Sequence, residues 1–158
     1  MIVLVMGVAG VGKTTIGAAL ARRLGWRFVD ADDYHPPQNV AKMKAGIPLA
    51  DADRWPWLSR LNKELKQLEH AVLACSALKQ SYRQRLAQGI AEFTVVYLYG
   101  SSELIRARME GRSHRFMPAA LLESQFAALE PPADAIAVDV AATPEDCVAA
   151  ILTELGKS

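Results

Sequence analysis

The sequence predicts an α/β fold in which a mainly parallel β-sheet carries helices on both faces. Short apolar runs alternate with amphipathic helical stretches from one end of the chain to the other, which is typical of repeated β-α units. The first apolar run, Ile2–Met6, is continuous rather than alternating, as in a strand buried on both faces. A glycine-rich turn follows this run and leads directly into helical spacing, so the first β-α unit is complete by Leu24.

Five strands are expected, each of the short length that is usual in globular proteins. The fourth strand is rich in the β-favouring residues Val and Tyr, whereas the fifth strand is a weaker prediction. The five expected strands are Ile2–Met6, Arg27–Asp30, residues 71–75, Phe93–Tyr99 and residues 135–138.

Helices are expected in the segments between these strands. The first covers residues 14–24 and stops at Gly25, and the last begins after Thr143 as N-cap, with Pro144 at its first position. The other expected helices lie at residues 37–44, at residues 54–68 with four leucines on one face, from Ser101 or Ser102 to Glu110, and from Pro118 onward.

Composition predicts one soluble domain, residues 1–158, because no repeat, low-complexity tract or linker interrupts the chain. Eighteen basic and 17 acidic side chains give a formal charge of +1, so no basic excess indicates a nucleic-acid or membrane-surface binder. Cys75 and Cys147 lie in apolar surroundings without metal-ligand spacing and are expected to be buried. The apolar N-terminal run lacks a basic leader and is too short for a membrane span, which favours a cytoplasmic protein.

The turn after the first strand matches the phosphate-binding pattern G-x-x-x-x-G-K-[ST] in full. Its glycines allow successive backbone N–H groups to point inward at phosphate oxygens, and the following helix adds the positive end of its dipole. Lys13 is expected to reach the β- and γ-phosphates of ATP, and the Thr14 hydroxyl to take one coordination site of Mg²⁺. The expected ATP-binding residues are Gly7, Val8, Ala9, Gly10, Val11, Gly12, Lys13 and Thr14.

A phosphate-binding loop alone does not separate a kinase from a GTPase or from a nucleotide-binding module. A GTPase requires a guanine-reading N-K-x-D segment, whereas the similar text at residues 62–65 ends in a leucine and lies on a leucine-faced helix. A D-x-x-G switch motif is absent from the sequence as well. These two observations argue against a GTPase and leave the other two classes open.

Three carboxylates, Asp30, Asp32 and Asp33, follow the expected second strand. In an open α/β sheet, ligands bind beyond the carboxyl ends of the strands, which places this acidic cluster beside the phosphate-binding loop. Carboxylates there can hold Mg²⁺ through water and can accept a proton from an attacking hydroxyl. Asp30 and Asp32 are therefore expected to be catalytic together with Lys13, whereas Asp33 is expected to lie in a solvated turn.

Four segments form a pattern, and two of them, at residues 35–43 and 75–79, are more specific than the phosphate-binding loop. They read D-A-D-D-Y at residues 30–34, H-P-x-x-N-x-x-K-M at 35–43, C-S-A-L-K at 75–79 and L-x-x-Q-F-x-x-L-E at 122–130. Through them the chain resembles the gluconokinase family over almost its whole length. The resemblance implies a P-loop NTPase fold of the nucleoside-monophosphate and shikimate kinase type, a lid at about residues 111–130 and a homodimer. It also implies ATP-dependent phosphorylation of D-gluconate to 6-phospho-D-gluconate.

A sugar-acid acceptor brings one carboxylate and several hydroxyls, so its pocket requires cations and polar hydrogen-bonding groups. Arginine suits a bidentate grip on a carboxylate, whereas lysine supplies a point charge. Cationic side chains in or beside the family-like segments are the candidates. The expected substrate-binding residues are His35, Lys42, Arg54, Lys79 and Arg83.

The basic connection at residues 111–118 resembles the mobile lid of this kinase class. A closing lid can deliver arginines to phosphates as charge develops and can exclude water at the same time. Arg112 and Arg115 are therefore expected to be catalytic. Family members usually have a His-Phe pair here, whereas this chain reads His114-Arg115-Phe116, with Arg115 at the histidine's place.

Two alternatives to gluconate phosphorylation stay open at this point. One is a kinase of the same fold that acts on shikimate or another polyhydroxy acid. Shikimate kinases carry a glycine triplet after the third strand, where this chain has Cys-Ser-Ala at residues 75–77. The other is a catalytically silent nucleotide-binding protein, against which the intact Lys13, Thr14 and Asp32 argue.

Overall fold

The computed structural model describes residues 1–110 and 119–157, and a five-stranded sheet forms its centre. The strands are β1 (Ile2–Met6), β2 (Arg27–Asp30), β3 (Ala71–Ala74), β4 (Phe93–Tyr99) and β5 (Ile136–Asp139). They are hydrogen-bonded in the order β2-β3-β1-β4-β5, and every neighbouring pair is parallel. The parallel sheet predicted from sequence is confirmed, with β3 one residue shorter than expected and β5 displaced by one residue.

Helices connect the strands, and a 3₁₀ turn at Ala31–Tyr34 follows β2. The helices are α1 (Lys13–Leu24), α2 (Pro37–Lys44), α3 (Asp51–Lys66), α4 (Gln80–Ala87), α5 (Ser102–Glu110), α6 (Ala119–Ala128) and α7 (Pro144–Glu154). Among these, no helix is long and apolar enough to span a membrane; this holds for residues 1–110 and 119–157.

The central strand β1 separates two apolar layers because its side chains alternate between the two faces of the sheet. All five of its side chains are buried, as its continuous apolar run predicts. Val3 and Val5 pack with residues of α1 and α7 on one face, whereas Leu4 and Met6 pack with residues of α3 and α4 on the other. The helical partners include Ile16, Leu20 and Ile151 in the first layer and Leu58, Leu61 and Leu86 in the second.

The ends of three helices follow the capping residues in the sequence. Gly25 ends α1 in the left-handed conformation that glycine adopts without strain, with φ 71°. Thr143 Oγ1 accepts a hydrogen bond from the backbone N–H of Asp146 and caps α7. Of the two candidate caps before α5, Ser101 makes the contact, since its Oγ accepts from the N–H of Leu104 at 3.1 Å.

Two helices differ from the sequence prediction. α3 begins at Asp51, three residues earlier than expected, because the Asp53 carboxylate accepts a hydrogen bond from the backbone N–H of Ala50 at 2.8 Å and stabilises an earlier first turn. α4 was absent from the prediction altogether. It buries only two large apolar side chains, Tyr82 and Leu86, which is too few for a recognisable periodic pattern.

The turn between β1 and α1 depends on glycine at its first position. Gly7 has φ 154°, and a Cβ atom there would lie 2.6 Å from the backbone carbonyl oxygen of Leu98 and 2.8 Å from Val11 Cγ2. The Leu98 carbonyl belongs to β4 and cannot move away without disturbing the sheet. Gly7→Ala is therefore expected to lower the free energy of unfolding by about 2 kcal/mol or more and Tm by roughly 4–8 °C.

Gly25→Ala is the matched control for this measurement, because φ is also positive there but open space surrounds the position. Its expected cost is the left-handed conformation alone, about 1 kcal/mol. Thermal unfolding followed by circular dichroism would compare the two variants. Equal losses of stability in both would show that the close approach to Leu98 relaxes freely.

Candidate functional site

The phosphate-binding loop, residues 7–12, follows the carboxyl end of β1 and leads into the first turn of α1. Gly10 and Gly12 have φ values of 86° and 96°, which side chains with a Cβ rarely adopt. Inside the curl, the Lys13 ammonium donates a hydrogen bond to the carbonyl of Val8 at 3.0 Å. The loop therefore has the concave shape that the sequence predicts for a phosphate cradle.

Lys13 lies in a poorly solvated position at the floor of the site. Burial lowers the pKa of its ammonium, and the nearby Asp32, Cys75 and Asp30 oppose part of that effect. A charge held in such a place is stabilised by an incoming anion much more than a charge in water would be. The electrostatics of the loop thus favour a polyphosphate ligand.

Asp30 links the end of β2 to the phosphate-binding loop. Its Oδ2 lies 3.4 Å from the hydroxyl of Thr14, and its Oδ1 accepts a hydrogen bond from the backbone N–H of Asp32 at 3.0 Å. The second contact caps the 3₁₀ turn. Asp33 is exposed, as expected.

A cavity of about 250 Å³ opens between the phosphate-binding loop, the 3₁₀ turn and α6. It brings together residues that are far apart in sequence, because β1, β2 and β3 all end at the same edge of the sheet. Its polar wall consists of Lys13, Thr14, Asp30, Asp32, His35, Arg54, Ser76, Ser124 and Gln125. Its apolar wall includes Met43, Ile47, Pro48, Leu49, Trp57 and Leu121.

Cys75 also lines this cavity but is buried. Burial raises the pKa of its thiol to about 12, so the sulfur stays protonated near neutral pH. The expectation that Cys75 and Cys147 are buried is confirmed, and both are free thiols. Cys75 serves as wall rather than as nucleophile.

The five cations expected to bind substrate are not equally placed. His35 and Arg54 line the cavity, and the half-buried Arg54 donates to the carbonyl of Leu49 at 2.5 Å and to the Tyr82 hydroxyl at 3.3 Å. Lys42 and Lys79 lie outside the residues that line the cavity and are paired with carboxylates of the first turn of α3. The Lys42 ammonium lies 2.8 Å from Asp53 Oδ2, and the Lys79 ammonium lies 3.3 Å from Asp51 Oδ1.

Arg83 lies outside the residues that line the cavity. Its guanidinium is buried and donates to the carbonyls of Ala77, Leu78 and Glu130 at 2.8, 3.1 and 2.8 Å. Ala77 has φ 43°, an uncommon value for a residue with a side chain. Arg83 therefore stabilises the strained turn after β3, the turn that carries Ser76 into the cavity wall.

His35 does not supply a cation either. Burial and, to a smaller extent, the neighbouring Arg54 lower the pKa of its imidazole to about 4. The ring stacks on Trp57 with 4.0 Å between ring centroids. His35 is therefore a neutral hydrogen-bonding group at the cavity wall near pH 7.

Gln125 is a site residue that the sequence reasoning missed. Its Oε1 accepts a hydrogen bond from the backbone N–H of Ala9 at 2.7 Å, which joins α6 directly to the phosphate-binding loop. The signal that could have found it is the L-x-x-Q-F pattern, in which Leu122 is buried and Phe126 packs against the core. Gln125 lies between these two packed residues and is polar, which indicates a role other than packing.

A second cavity, of about 230 Å³, lies on the other side of the phosphate-binding loop. Arg108 on α5 and the segment between β5 and α7 form its outer wall, and the sequence reasoning had not assigned this wall. Its lining residues are Gly10, Val11, Gly12, Thr15, Ile16, Arg108, Val140, Ala142 and Pro144. Arg106, two residues earlier on α5, is paired elsewhere: its Nη2 lies 3.7 Å from Glu123 Oε1.

Two expected catalytic residues, Arg112 and Arg115, lie outside the described residues, as does the whole basic connection that contains them, residues 111–118. Within residues 1–110 and 119–157, no group of three or more His, Cys, Asp or Glu side chains is arranged to hold a metal ion. Mg²⁺ commonly has few protein ligands in its binding sites, since it keeps several waters and takes phosphate oxygens.

Three features define this protein as a P-loop kinase of a small molecule. They are the parallel sheet, the phosphate-binding loop after its central strand, and the acidic cavity beyond β2. The shikimate kinase family model matches residues 9–131. The thermosensitive gluconokinase of Escherichia coli (strain K12) is 44% identical over 161 residues, which cover 94% of this chain and 86% of the relative. The chain belongs to the gluconokinase family.

Two further relatives agree with this assignment. The gluconokinase of Gluconobacter oxydans (strain 621H) is 48% identical over 134 residues, covering 82% of this chain and 75% of the relative. The crystal structure of a gluconokinase from Sinorhizobium meliloti 1021 superposes with a TM-score of 0.91 at 42% identity. That superposition covers 98% of this chain and 90% of the other. The nucleoside-monophosphate and shikimate kinase type of fold predicted from sequence is confirmed.

Proposed function

We propose that this protein transfers the γ-phosphoryl group of ATP to D-gluconate and releases ADP and 6-phospho-D-gluconate. The observation that carries the proposal is the cavity in which Lys13, Asp32 and Arg54 converge beside the phosphate-binding loop. Membership of the gluconokinase family, with relatives that are 44% and 48% identical, supports the choice of acceptor. The protein is a phosphotransferase that acts on an alcohol group.

The two cavities divide the substrates between them. The phosphates of ATP bind along the loop from Gly7 to Thr14, and the nucleoside occupies the second cavity beside Arg108. The γ-phosphate then reaches Lys13 and the mouth of the first cavity. Arg112 and Arg115 are proposed to approach it from the lid, at about residues 111–130.

Thr14 and Asp30 fit a magnesium ion bound with the nucleotide. Their oxygens, Oγ1 and Oδ2, are 3.4 Å apart, and both belong to the oxygen donors that Mg²⁺ prefers. When bound, the ion neutralises charge on the phosphates. Thr14 is proposed as a direct ligand and Asp30 as a ligand or as a partner of a bound water.

The acceptor binds in the first cavity with its carboxylate near Arg54. Arg54 already donates to the Leu49 carbonyl and the Tyr82 hydroxyl, so its orientation is fixed before substrate arrives. One acceptor hydroxyl lies toward Asp32. The oxygen of this hydroxyl forms a bond to the γ-phosphorus, and the bond from that phosphorus to the ADP oxygen breaks. The hydroxyl proton goes to the Asp32 carboxylate.

Lys42 and Lys79 contribute indirectly to this arrangement. They stabilise the charges of Asp53 and Asp51. The hydrogen bond from Lys42 lowers the pKa of the Asp53 carboxyl. The pKa of the Asp51 carboxyl is lowered chiefly by the hydrogen bond from the Tyr82 hydroxyl. These pairs order the first turn of α3, from which Arg54 projects. We further propose that the protein acts as a homodimer in the cytoplasm, which the family resemblance supports.

Acceptor specificity tests the proposal directly. ADP release in the presence of ATP and Mg²⁺ is expected to rise far above the ATP-only background with gluconate, and to stay near background with shikimate or AMP. A coupled spectrophotometric assay over a panel of aldonic acids, shikimate and nucleoside monophosphates would measure it, with a sample lacking Mg²⁺ as control. Faster turnover with shikimate or AMP would assign the chain to a different acceptor.

A further inference from the structure

The side chain of Asn39 on α2 is 1% exposed and makes two contacts with the same nitrogen. Its Nδ2 lies 2.9 Å from the backbone carbonyl oxygen of Asp53 and 3.2 Å from Nδ1 of His35. A carbonyl oxygen can only accept a hydrogen bond, so the atom that faces it must be the amide NH₂. Both hydrogens of that NH₂ are thereby assigned, one to each acceptor.

The protonation of His35 follows from this contact. Because Nδ1 accepts a hydrogen bond from Asn39, it carries no proton, and the proton of the neutral ring lies on Nε2. The ring stacks on Trp57 at an interplanar angle of 18°, which holds the plane of the imidazole. Trp57 is held in turn by its own Nε1, which donates to the carbonyl of Ala31 at 2.7 Å.

The Nε2 edge of His35 faces the acceptor cavity, where Asp32 Oδ1 lies 3.9 Å away. The His35 side chain is 3% exposed, whereas the Asp32 side chain is 79% exposed. The charged groups around the ring are Asp32 from its own turn and Arg54 from α3. The 3.9 Å separation is longer than a hydrogen bond, so the contact proposed below requires the two groups to approach each other.

We propose that His35 is a positioning residue for Asp32, with its Asn39-fixed Nε2–H donating to one carboxylate oxygen so that the other faces the acceptor hydroxyl. This inference rests on the proposed phosphoryl transfer to a hydroxyl, in which Asp32 takes the proton. A hydrogen bond to one carboxylate oxygen fixes the orientation of the other oxygen before the reaction.

A neutral donor suits this task better than a cation. An imidazolium beside Asp32 would stabilise the carboxylate anion strongly and make it a weaker base. Burial of the ring and the neighbouring Arg54, which lower the pKa of His35 to about 4, keep it neutral at the pH of an ordinary assay. An asparagine at position 39 supports the same state, because an aspartate there would instead accept a hydrogen bond from a protonated Nδ1.

The test compares three variants in the full-length protein. Asn39→Asp keeps the shape of the side chain but is expected to move the proton to Nδ1 and to raise the pKa of His35. His35→Leu removes the donor, and His35→Gln restores an N–H near the position of Nε2. Long-range ¹H–¹⁵N spectra report the tautomer without any substrate, and the His35 signal among the three histidines is assigned by its loss in His35→Gln.

The expected results separate positioning from a merely structural role. The wild-type spectrum should show the Nε2–H tautomer from pH 5.5 to 8. In His35→Leu and Asn39→Asp, kcat should fall roughly 10- to 100-fold while the KM for ATP stays within about threefold. His35→Gln should recover most of the lost kcat. Thermal unfolding with and without ATP would verify that each variant folds and binds nucleotide.

Two outcomes would overturn the inference. One is an Nδ1–H tautomer or an imidazolium in the wild-type spectrum at pH 7, and the other is an unchanged kcat in a folded His35→Leu variant. Neither depends on gluconate. The spectra need no acceptor, and the kinetics use whichever acceptor the specificity panel selects, so a wrong acceptor leaves this test intact.

Discussion

Replacing Lys13 by alanine is expected to lower kcat by two to three orders of magnitude while leaving the fold intact. The loss of one preorganised charge at a transferring phosphoryl group commonly costs about 3–4 kcal/mol. The Lys13 ammonium is in place for this role, held 3.0 Å from the Val8 carbonyl inside the phosphate-binding loop. ADP release at saturating ATP and acceptor would measure the effect.

The same substitution has an expected signature in stability. Burial lowers the pKa of Lys13, which means that the ligand-free fold disfavours its charged form. The stability cost of that charge is full below the lowered pKa and diminishes as pH rises through it. Lys13→Ala should therefore keep or raise the Tm of the ligand-free protein and lose the increase in Tm that ATP produces in the wild type.

Lys63→Ala is the matched control, because Lys63 is an exposed lysine on α3 that lines neither cavity. It should leave kcat and the ATP-dependent Tm unchanged. Wild-type turnover in a folded Lys13→Ala variant would contradict the assignment of the loop. A fall in kcat of similar size in both variants would point to a nonspecific effect of removing charge.

Asp32→Asn is expected to reduce kcat by roughly 10²- to 10⁴-fold with a much smaller change in ATP affinity. The substitution keeps the shape of the side chain and removes the base that takes the acceptor proton, and general base catalysis contributes about that factor. Steady-state kinetics with ATP and acceptor varied separately would give kcat and both KM values.

Two neighbouring carboxylates serve as controls for Asp32. Asp33→Asn should be silent, because Asp33 is exposed and lies outside the cavity wall. Asp30→Asn should raise the Mg²⁺ concentration needed for half-maximal rate, because Asp30 lies 3.4 Å from the Thr14 hydroxyl. Full kcat in Asp32→Asn together with its loss in Asp30→Asn would mean that the two carboxylates have exchanged roles.

Local sequence was sufficient to predict those strands and helix ends whose structure depends on residues close together in the chain. The strand at Ile2–Met6 is buried on both faces, and α1 stops at Gly25 because glycine adopts φ 71° without strain. α4 was missed because Tyr82 and Leu86 are its large buried apolar residues and the rest of it is polar. Its stability comes from packing against α3, which no local pattern reveals.

The candidate site shows the same division. Lys13, Thr14 and Asp30 could be placed together from sequence because the ends of parallel strands share one edge of the sheet. Which group a cation pairs with depends on tertiary structure, so sequence could not show that Arg83 donates its hydrogen bonds to backbone carbonyls. The contact of Gln125 with Ala9 spans 116 residues, so the L-x-x-Q-F pattern could indicate the residue but not its partner.

The position of the phosphate-binding loop between the two cavities has a stereochemical consequence. Ala9 and Lys13 face one cavity, whereas Gly10 and Gly12 face the other, so donor and acceptor can occupy the protein at the same time. The Cys75 thiol, with its pKa raised to about 12, is a poor nucleophile and does not favour a covalent phosphoryl-enzyme intermediate. Transfer within such a ternary complex is expected to be a single in-line displacement, which inverts the configuration of a chirally labelled γ-phosphorus.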